Sequence, residues 1–413
     1  MSACGVKEEI VPAAKEVFEV STAAGFLAAA VEESGGFISG EKEAGSGAAA
    51  HAYLYDNAVA LIALAEAGAL WHAFKIADAL VFAQTHDRVF KDGRLRNAYT
   101  SGDPKSDSGR SITGGKITIR LPGFWKDGHW REDYYTVSTS AGNMAWVMMA
   151  LCKAASVSDA DKKTEYLNAA IKAADFILTL KSPEGGFTGG YEGWDEEQTK
   201  VSYKSTEHNL DLVAAFRIIA DAVRNEDSKR AMEYESAAAH ARAFVMSMYD
   251  KKLSCFYTGT EADGKSVSEG VIPLDSNTLA ILALGKELTD TDNILSFIEE
   301  RMSVGGGFDF SAGDLDGIWN EGTAQMAVCY NEAGKADKYE NVMKYLVTQS
   351  RKDGSMPAAD RDGVSTGFFV SGSDTPWEYH NIQSIGATGW YALAQLKINP
   401  LGRQTQNNEG QKD

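Results

Sequence analysis

The chain has 413 residues, a formal charge of −18 and a pI near 4.9, which is length enough for one large domain or two to three ordinary ones around a sizeable apolar core. That charge excludes a nucleic-acid partner, because a phosphate backbone needs a basic footprint and the sequence has none. No run is long and apolar enough to span a bilayer, and an acidic surface disfavours polyanionic substrates.

The opening Met1-Ser2-Ala3-Cys4-Gly5 resembles the end of a bacterial lipoprotein signal, although the basic and apolar regions of a signal peptide are missing. On that reading residues 1–7 are a linker, a lipid on Cys4 is the only tie to a membrane, and the protein is periplasmic or on the cell surface; otherwise it is cytoplasmic. Cys152, Cys255 and Cys329 lie far apart without paired spacing, so neither a zinc site nor a disulfide framework is expected. Cys152 and Cys329 sit in apolar helical runs and read as small core residues.

Taken in order, Glu8 to Glu33 reads as a first helix ended by Gly35-Gly36-Phe37, since glycine closes helices. A second helix begins near Tyr53 and carries Asp56, and a third spans Trp71 to Gln84. Lys91-Asp92-Gly93-Arg94-Leu95 is a turn. From Asp87 to about Thr136 helical periodicity is lost while aromatics accumulate, among them Trp125, Trp130, Tyr134 and Tyr135. Such a long connection reads as a loop subdomain over a cleft, with Lys116 to Leu121 strand-like.

Helical period resumes at Ser138, with a partner from Asp159 to Leu180 and a turn at Gly185-Gly186-Phe187. After a loop with Tyr191, Trp194 and Asp195, Tyr203 to Phe216 opens the next helix; Ser205 or Thr206 is its N-cap, and Glu207, His208, Asn209 and Asp211 fill its start. Its partner runs from Asn225 to Met248. Pro273-Leu274-Asp275 starts a further helix, partnered by Thr291 to Met302, and Trp319-Asn320-Glu321 opens one partnered by Asp337 to Ser350. Trp377-Glu378-Tyr379-His380-Asn381 is read as opening the last, which contains Trp390, and a polar tail follows from 400 to 413.

Six helix starts, near Asp56, Thr139, Glu207, Asp275, Glu321 and His380, are thus each preceded by a loop, and most are followed by a second helix and a glycine turn. Helix pairs recurring at roughly 45 to 90 residues stack as α-hairpins. Six of them close into an all-α (α/α)6 toroid covering 8–399 as one domain; an open superhelix is the alternative.

The turns Asp92-Gly93-Arg94-Leu95, Gly185-Gly186-Phe187, Gly306-Gly307-Phe308 and Asp353-Gly354, with Trp319 to Gln325 and Ala387 to Leu393, make the chain resemble the six-hairpin glycosidase-like superfamily. The resemblance covers almost the whole chain. It implies a barrel whose inner-helix starts and preceding loops line one carbohydrate-binding cleft, and mostly inverting hydrolases. No single family's catalytic pair maps onto the sequence.

If the six starts converge, Asp56, Glu207, Asp211, Asp275, Glu321 and Glu378 approach one another with His208 and His380. Glycoside hydrolysis needs one carboxyl to protonate the leaving oxygen and another to activate water or attack carbon. Glu207 is the expected acid, because Asp211 four residues on shares its face and raises its pKa; Asp56 and Glu321 rank ahead of Asp275 as base. First-turn acids also serve the helix dipole without any further role. His208 and His380 are expected to face substrate, and Trp125, Trp130, Trp194, Trp319 and Trp377 to pack on sugar faces. Trp146 and Trp390 read as core.

The expectation is therefore a monomeric glycoside hydrolase for a polysaccharide or oligosaccharide, with no cofactor and no metal. A sugar epimerase using His208 and His380 is the first alternative. A polysaccharide lyase using Arg94, Arg96, Lys116, Arg120 and Tyr134 is the second.

Overall fold

The computed structural model describes residues 22–40, 50–370 and 373–403; Cys4, the proposed linker, the first part of the Glu8 to Glu33 helix and the tail beyond 403 lie outside them. Thirteen helices are present among the described residues: α1 (Thr22–Ser34), α2 (Leu54–Glu66), α3 (Leu70–Thr85), α4 (Tyr134–Val137), α5 (Ala141–Ser156), α6 (Ala160–Leu178), α7 (Thr206–Val223), α8 (Ser228–Ser247), α9 (Leu274–Leu284), α10 (Thr291–Arg301), α11 (Asn320–Glu332), α12 (Ala336–Gln349) and α13 (Ile385–Leu396).

Two kinds of helix alternate. All eleven residues of α9 are buried, as are the first ten of α13, the composition of a helix covered on every side. By contrast α12 buries only Tyr339, Val342 and Leu346, and α10 only Ile294, Leu295 and Ile298, each a single stripe at helical spacing. The fully buried kind packs side by side in the order α2, α5, α7, α9, α11, α13 and back to α2. That is a closed inner ring. Each inner helix is backed by a one-sided outer helix, α3, α6, α8, α10, α12 and, for α13, α1. The six expected hairpins are therefore present among the described residues, and the sixth is made by the first and last described helices, α1 and α13, which closes the toroid.

A single contact recurs at all six inner helices. The side chain four residues after the N-cap accepts the backbone N–H of the apolar residue in the preceding turn. Asn57 accepts from Ile38 at 2.9 Å, Met144 Sδ from Leu95 at 3.2 Å, Asn209 from Phe187 at 2.8 Å, Asn277 from Phe256 at 2.8 Å, Thr323 from Phe308 at 3.0 Å and Thr388 from Met356 at 3.0 Å. The three asparagines also donate back to the carbonyl of the same residue. Buried peptide groups in an irregular turn need partners, and these side chains supply them.

The long loops are not structureless. Between Asp87 and Thr136 lie two hairpins, Arg110–Thr113 with Lys116–Ile119 and Phe124–Lys126 with His129–Arg131. The expected start of the last helix is corrected: Pro376–Tyr379 is a strand paired with Val364–Phe369, and α13 begins only after Ser384, whose Oγ caps the N–H of Ala387 at 3.2 Å. Proline followed by bulky aromatics favours an extended edge strand. None of the described helices is long and apolar enough to cross a membrane.

Replacing Asn209 by leucine leaves the buried N–H and C=O of Phe187 unpaired. It is expected to lower the unfolding free energy by about 2 to 4 kcal/mol, read by denaturant unfolding. An unchanged midpoint would mean that the contact does not hold the turn.

Candidate active site

The residue two positions after each inner-helix cap is Tyr55, Gly142, Glu207, Asp275, Glu321 or Gly386. The closed ring brings this layer together. Tyr55 donates to Glu321 Oε1 at 2.5 Å and itself accepts from Trp390 Nε1 at 2.7 Å. Two glycines leave room where the other starts carry large groups. A methyl group on Gly142 would lie 2.5 Å from His208 Cδ2. One on Gly386 would lie 2.7 Å from Glu321 Oε2 and 3.0 Å from Asp56 Oδ1, so these two oxygens are within about 6 Å of each other, a reach across which carboxylates compete for protons.

In ring order α7 stands opposite α13. Glu207 therefore projects from one wall, while Asp56 and Glu321 flank Gly386 on the other. Tyr379 feels the charges of Glu321, Asp275, Glu207 and Asp56, and Tyr135 those of Asp56 and Glu207. Tyr203 also borders Glu207. Three tyrosines thus lie among the acids, with the Trp146 indole beside Asp211.

Loss of water dominates the electrostatics. Burial raises Glu207 well above the ordinary carboxylate range, with the charges of Asp275, Asp211 and Glu321 adding. Burial also pushes Glu321 up to about 8, where the Tyr55 hydrogen bond opposes it and the Asp56 and Asp275 charges add. Asp275 is pushed up to about 6 by burial, against the Ser276 N–H that its Oδ1 accepts at 2.6 Å. Asp211, fully buried one turn below Glu207, is raised well above its usual value by burial and by Asp275. Neither of its oxygens has a partner of good hydrogen-bond geometry, though the Trp146 indole lies close enough to favour its charged form. His208 is pushed down to about 4 by burial and is a neutral imidazole, its Nε2 3.4 Å from Ser140 Oγ. No lysine or arginine is among the groups that shift these five side chains.

The structure thus gathers Glu207, Asp56, Glu321, Asp211, Asp275 and His208. It does not bring in the rest of the expected set. His380 is exposed in the loop after the strand, and its Nδ1 accepts the Gly363 N–H at 3.1 Å. Glu378 is exposed on the same strand. Side chains alternate along a strand, so with Tyr379 turned inward Glu378 and His380 point away. Trp319 is buried and stacks on Tyr379 at 5.5 Å, which makes it the backing of that ring and not a sugar platform. Trp125 and Trp130 form an exposed edge-to-face pair at a hairpin tip, Trp194 packs its exposed ring on Tyr134, and Trp377 is exposed beside Tyr379.

The cations proposed for a lyase are engaged elsewhere. Arg94 pairs with Asp92 and lies over Phe90 and Tyr191; Arg96 is buried against Asp87. Arg120 donates to the Arg110 carbonyl, and Lys116 is exposed on its hairpin. Sequence reasoning missed Tyr55 and Tyr379. For Tyr379 the available signal was period-two alternation in Pro376-Trp377-Glu378-Tyr379; for Tyr55 it was the position two after the cap.

A buried carboxyl whose folded pKa is raised binds its proton more tightly in the folded state, so its stabilising contribution is present below the unfolded value and is lost as pH rises through the folded one. For Glu321 that window runs from its ordinary 4.5 up to about 8. Glu321→Gln is therefore expected to flatten the fall of stability across this window by up to about 1.4 kcal/mol per pH unit. Denaturant unfolding at a series of pH values measures it, and parallel curves for variant and wild type would contradict the assignment.

No protein-family model matches the sequence, and no curated protein does. Solved structures do. A glycosidase variant in complex with glucose is similar at 12% identity and a TM-score of 0.61, over 91% of this chain and 95% of that one. A cellobiose 2-epimerase from Bacillus thermoamylovorans is similar at 12% identity and 0.59, over 90% and 95%. An α-amylase from Clostridium perfringens is similar at 12% identity and 0.59, over 91% and 97%. With the ring closed and the likeness covering nearly the full length of each, the chain has an (α/α)6 toroid fold shared with these enzymes.

Proposed function

We propose that the protein is a carbohydrate-active enzyme that hydrolyses glycosidic bonds of an oligosaccharide or polysaccharide with inversion. What carries this reading is a buried carboxyl, Glu207, raised above the ordinary carboxylate range by burial and standing on the wall across the ring from a carboxyl pair, Asp56 and Glu321, with Tyr379, Tyr135 and Tyr203 around them. The similarity to structures of glycosidases, an α-amylase and sugar epimerases supports the substrate class.

In the proposed step Glu207 gives its proton to the leaving glycosidic oxygen as the C–O bond breaks. Water held at the Asp56–Glu321 pair attacks the anomeric carbon from the opposite face and loses its proton to Asp56. Glu321, held by Tyr55, is the partner that fixes the position of Asp56's charge. The separation required is roughly 6.5 to 9.5 Å between acid and base, room for one water. A site without cations among its shifting groups suits a neutral or cationic sugar and not a uronate.

Epimerisation is the second reading, favoured by the neutral His208 in the same ring and by the epimerase neighbours. It needs a second base in place of the outward-facing His380. Solvent deuterium retained in an uncleaved sugar would establish it.

The test is Glu207→Gln on a panel of neutral and amino-sugar oligosaccharides, followed by release of reducing ends. The variant is expected to lose about a hundredfold or more in kcat with little change in KM. Full activity in the variant on a substrate the wild type cleaves would sink Glu207 as the acid.

A further inference from the structure

Outside the ring, the turn after Phe308 gathers three acids that the mechanism does not use. Asp309, Asp314 and Asp316 each present a carboxylate oxygen within 4.8 Å of the others. Asp314 and Asp316 are exposed, whereas Asp309 is fully buried. Its Oδ1 accepts the Phe310 N–H at 2.7 Å; its buried Oδ2 has no partner of good hydrogen-bond geometry, although the Asp316 backbone N–H lies close enough to favour the charged form. The charges of Asp316 and Asp314 act on Asp309, and a buried carboxylate beside two more is costly unless something positive completes the group. The cation whose charge reaches Asp316 is Arg361, which is paired with Asp360 at 2.8 Å. Glu378 adds further negative charge beside Asp316.

We infer that Asp309, Asp314 and Asp316 form a divalent cation site of calcium type. The oxygen span of 4.8 Å is what an ion with oxygen bonds of about 2.4 Å can bridge, and three carboxylates with open positions for water suit calcium better than magnesium, which keeps most of its waters and takes one or two carboxylates. The site is structural in its placement. Asp316 accepts the Ser365 N–H, and Ser365 pairs with Glu378 in the hairpin that carries Tyr379. Phe310, next to Asp309, packs on Trp319 and Tyr379. A bound ion therefore ties the 309–316 turn to the hairpin that lays Tyr379 over the acids.

The test is calorimetric titration of calcium chloride into the chelator-treated full chain, alongside thermal unfolding with and without calcium. One ion per chain and a higher unfolding temperature are expected. Asp314→Asn and Asp316→Asn, both at exposed positions, are each expected to weaken binding by about tenfold or more, with Asp309→Asn weakening it further. Asp337→Asn, an acid on α12 away from the cluster, should leave binding unchanged. No heat and no thermal shift at millimolar calcium would overturn the site. So would binding that Asp316→Asn does not weaken, or magnesium displacing calcium at equal concentration.

Discussion

The structure depends on one repeated contact, the side chain one turn into each inner helix that accepts the N–H of the preceding turn. It fixes two things together. The turn is pinned to the helix, so the loop above it leaves in a set direction; and the helix is fixed in rotation, so the residue two after the cap keeps the same level around the ring, where Tyr55 reaches Glu321. Asparagine does this with both its donor and its acceptor, threonine and methionine chiefly as acceptors. The residue types differ, yet the position is constant, which is why the ring has one functional layer.

That layer concentrates carboxyls where water is scarce. Helix N-termini carry partial positive charge and offset some of the cost, but Glu207, Asp211 and Glu321 still shift far from their ordinary values. The neighbours set the arrangement: Glu207, raised by burial, on one wall, and on the other Asp56 and Glu321, the latter held by Tyr55, which accepts in turn from Trp390. The two small positions on either side of α2, Gly142 and Gly386, let His208 and the Glu321 and Asp56 carboxyls come in against the backbone.

Much of this was legible in the residues. Recurring glycine turns and six polar or aromatic helix starts, each after a loop, mark six hairpins, and Glu207, Asp275 and Glu321 stand out as acids at those starts. Tyr55 was hidden because a tyrosine at a helix start has no chemistry of its own until Glu321, 266 residues away, meets it. His380 and Glu378 misled because Pro376 to Asn381 has the polar and aromatic look of the other helix starts while its backbone is a strand, where alternate side chains face opposite ways. Trp319 misled in a different way: its place beside Glu321 is right, but its ring is spent on Phe310 and Tyr379. Chain position alone does not reveal which side of a ring an aromatic occupies.

The account stands or falls on acid and base occupying opposite walls. The most direct measurement is proton NMR of the anomer first released from a cleaved oligosaccharide of known linkage, recorded before mutarotation. The opposed placement of Glu207 and the Asp56–Glu321 pair predicts that the new reducing end has the inverted configuration; a retained configuration would contradict it and require a carboxylate close enough to attack the sugar directly.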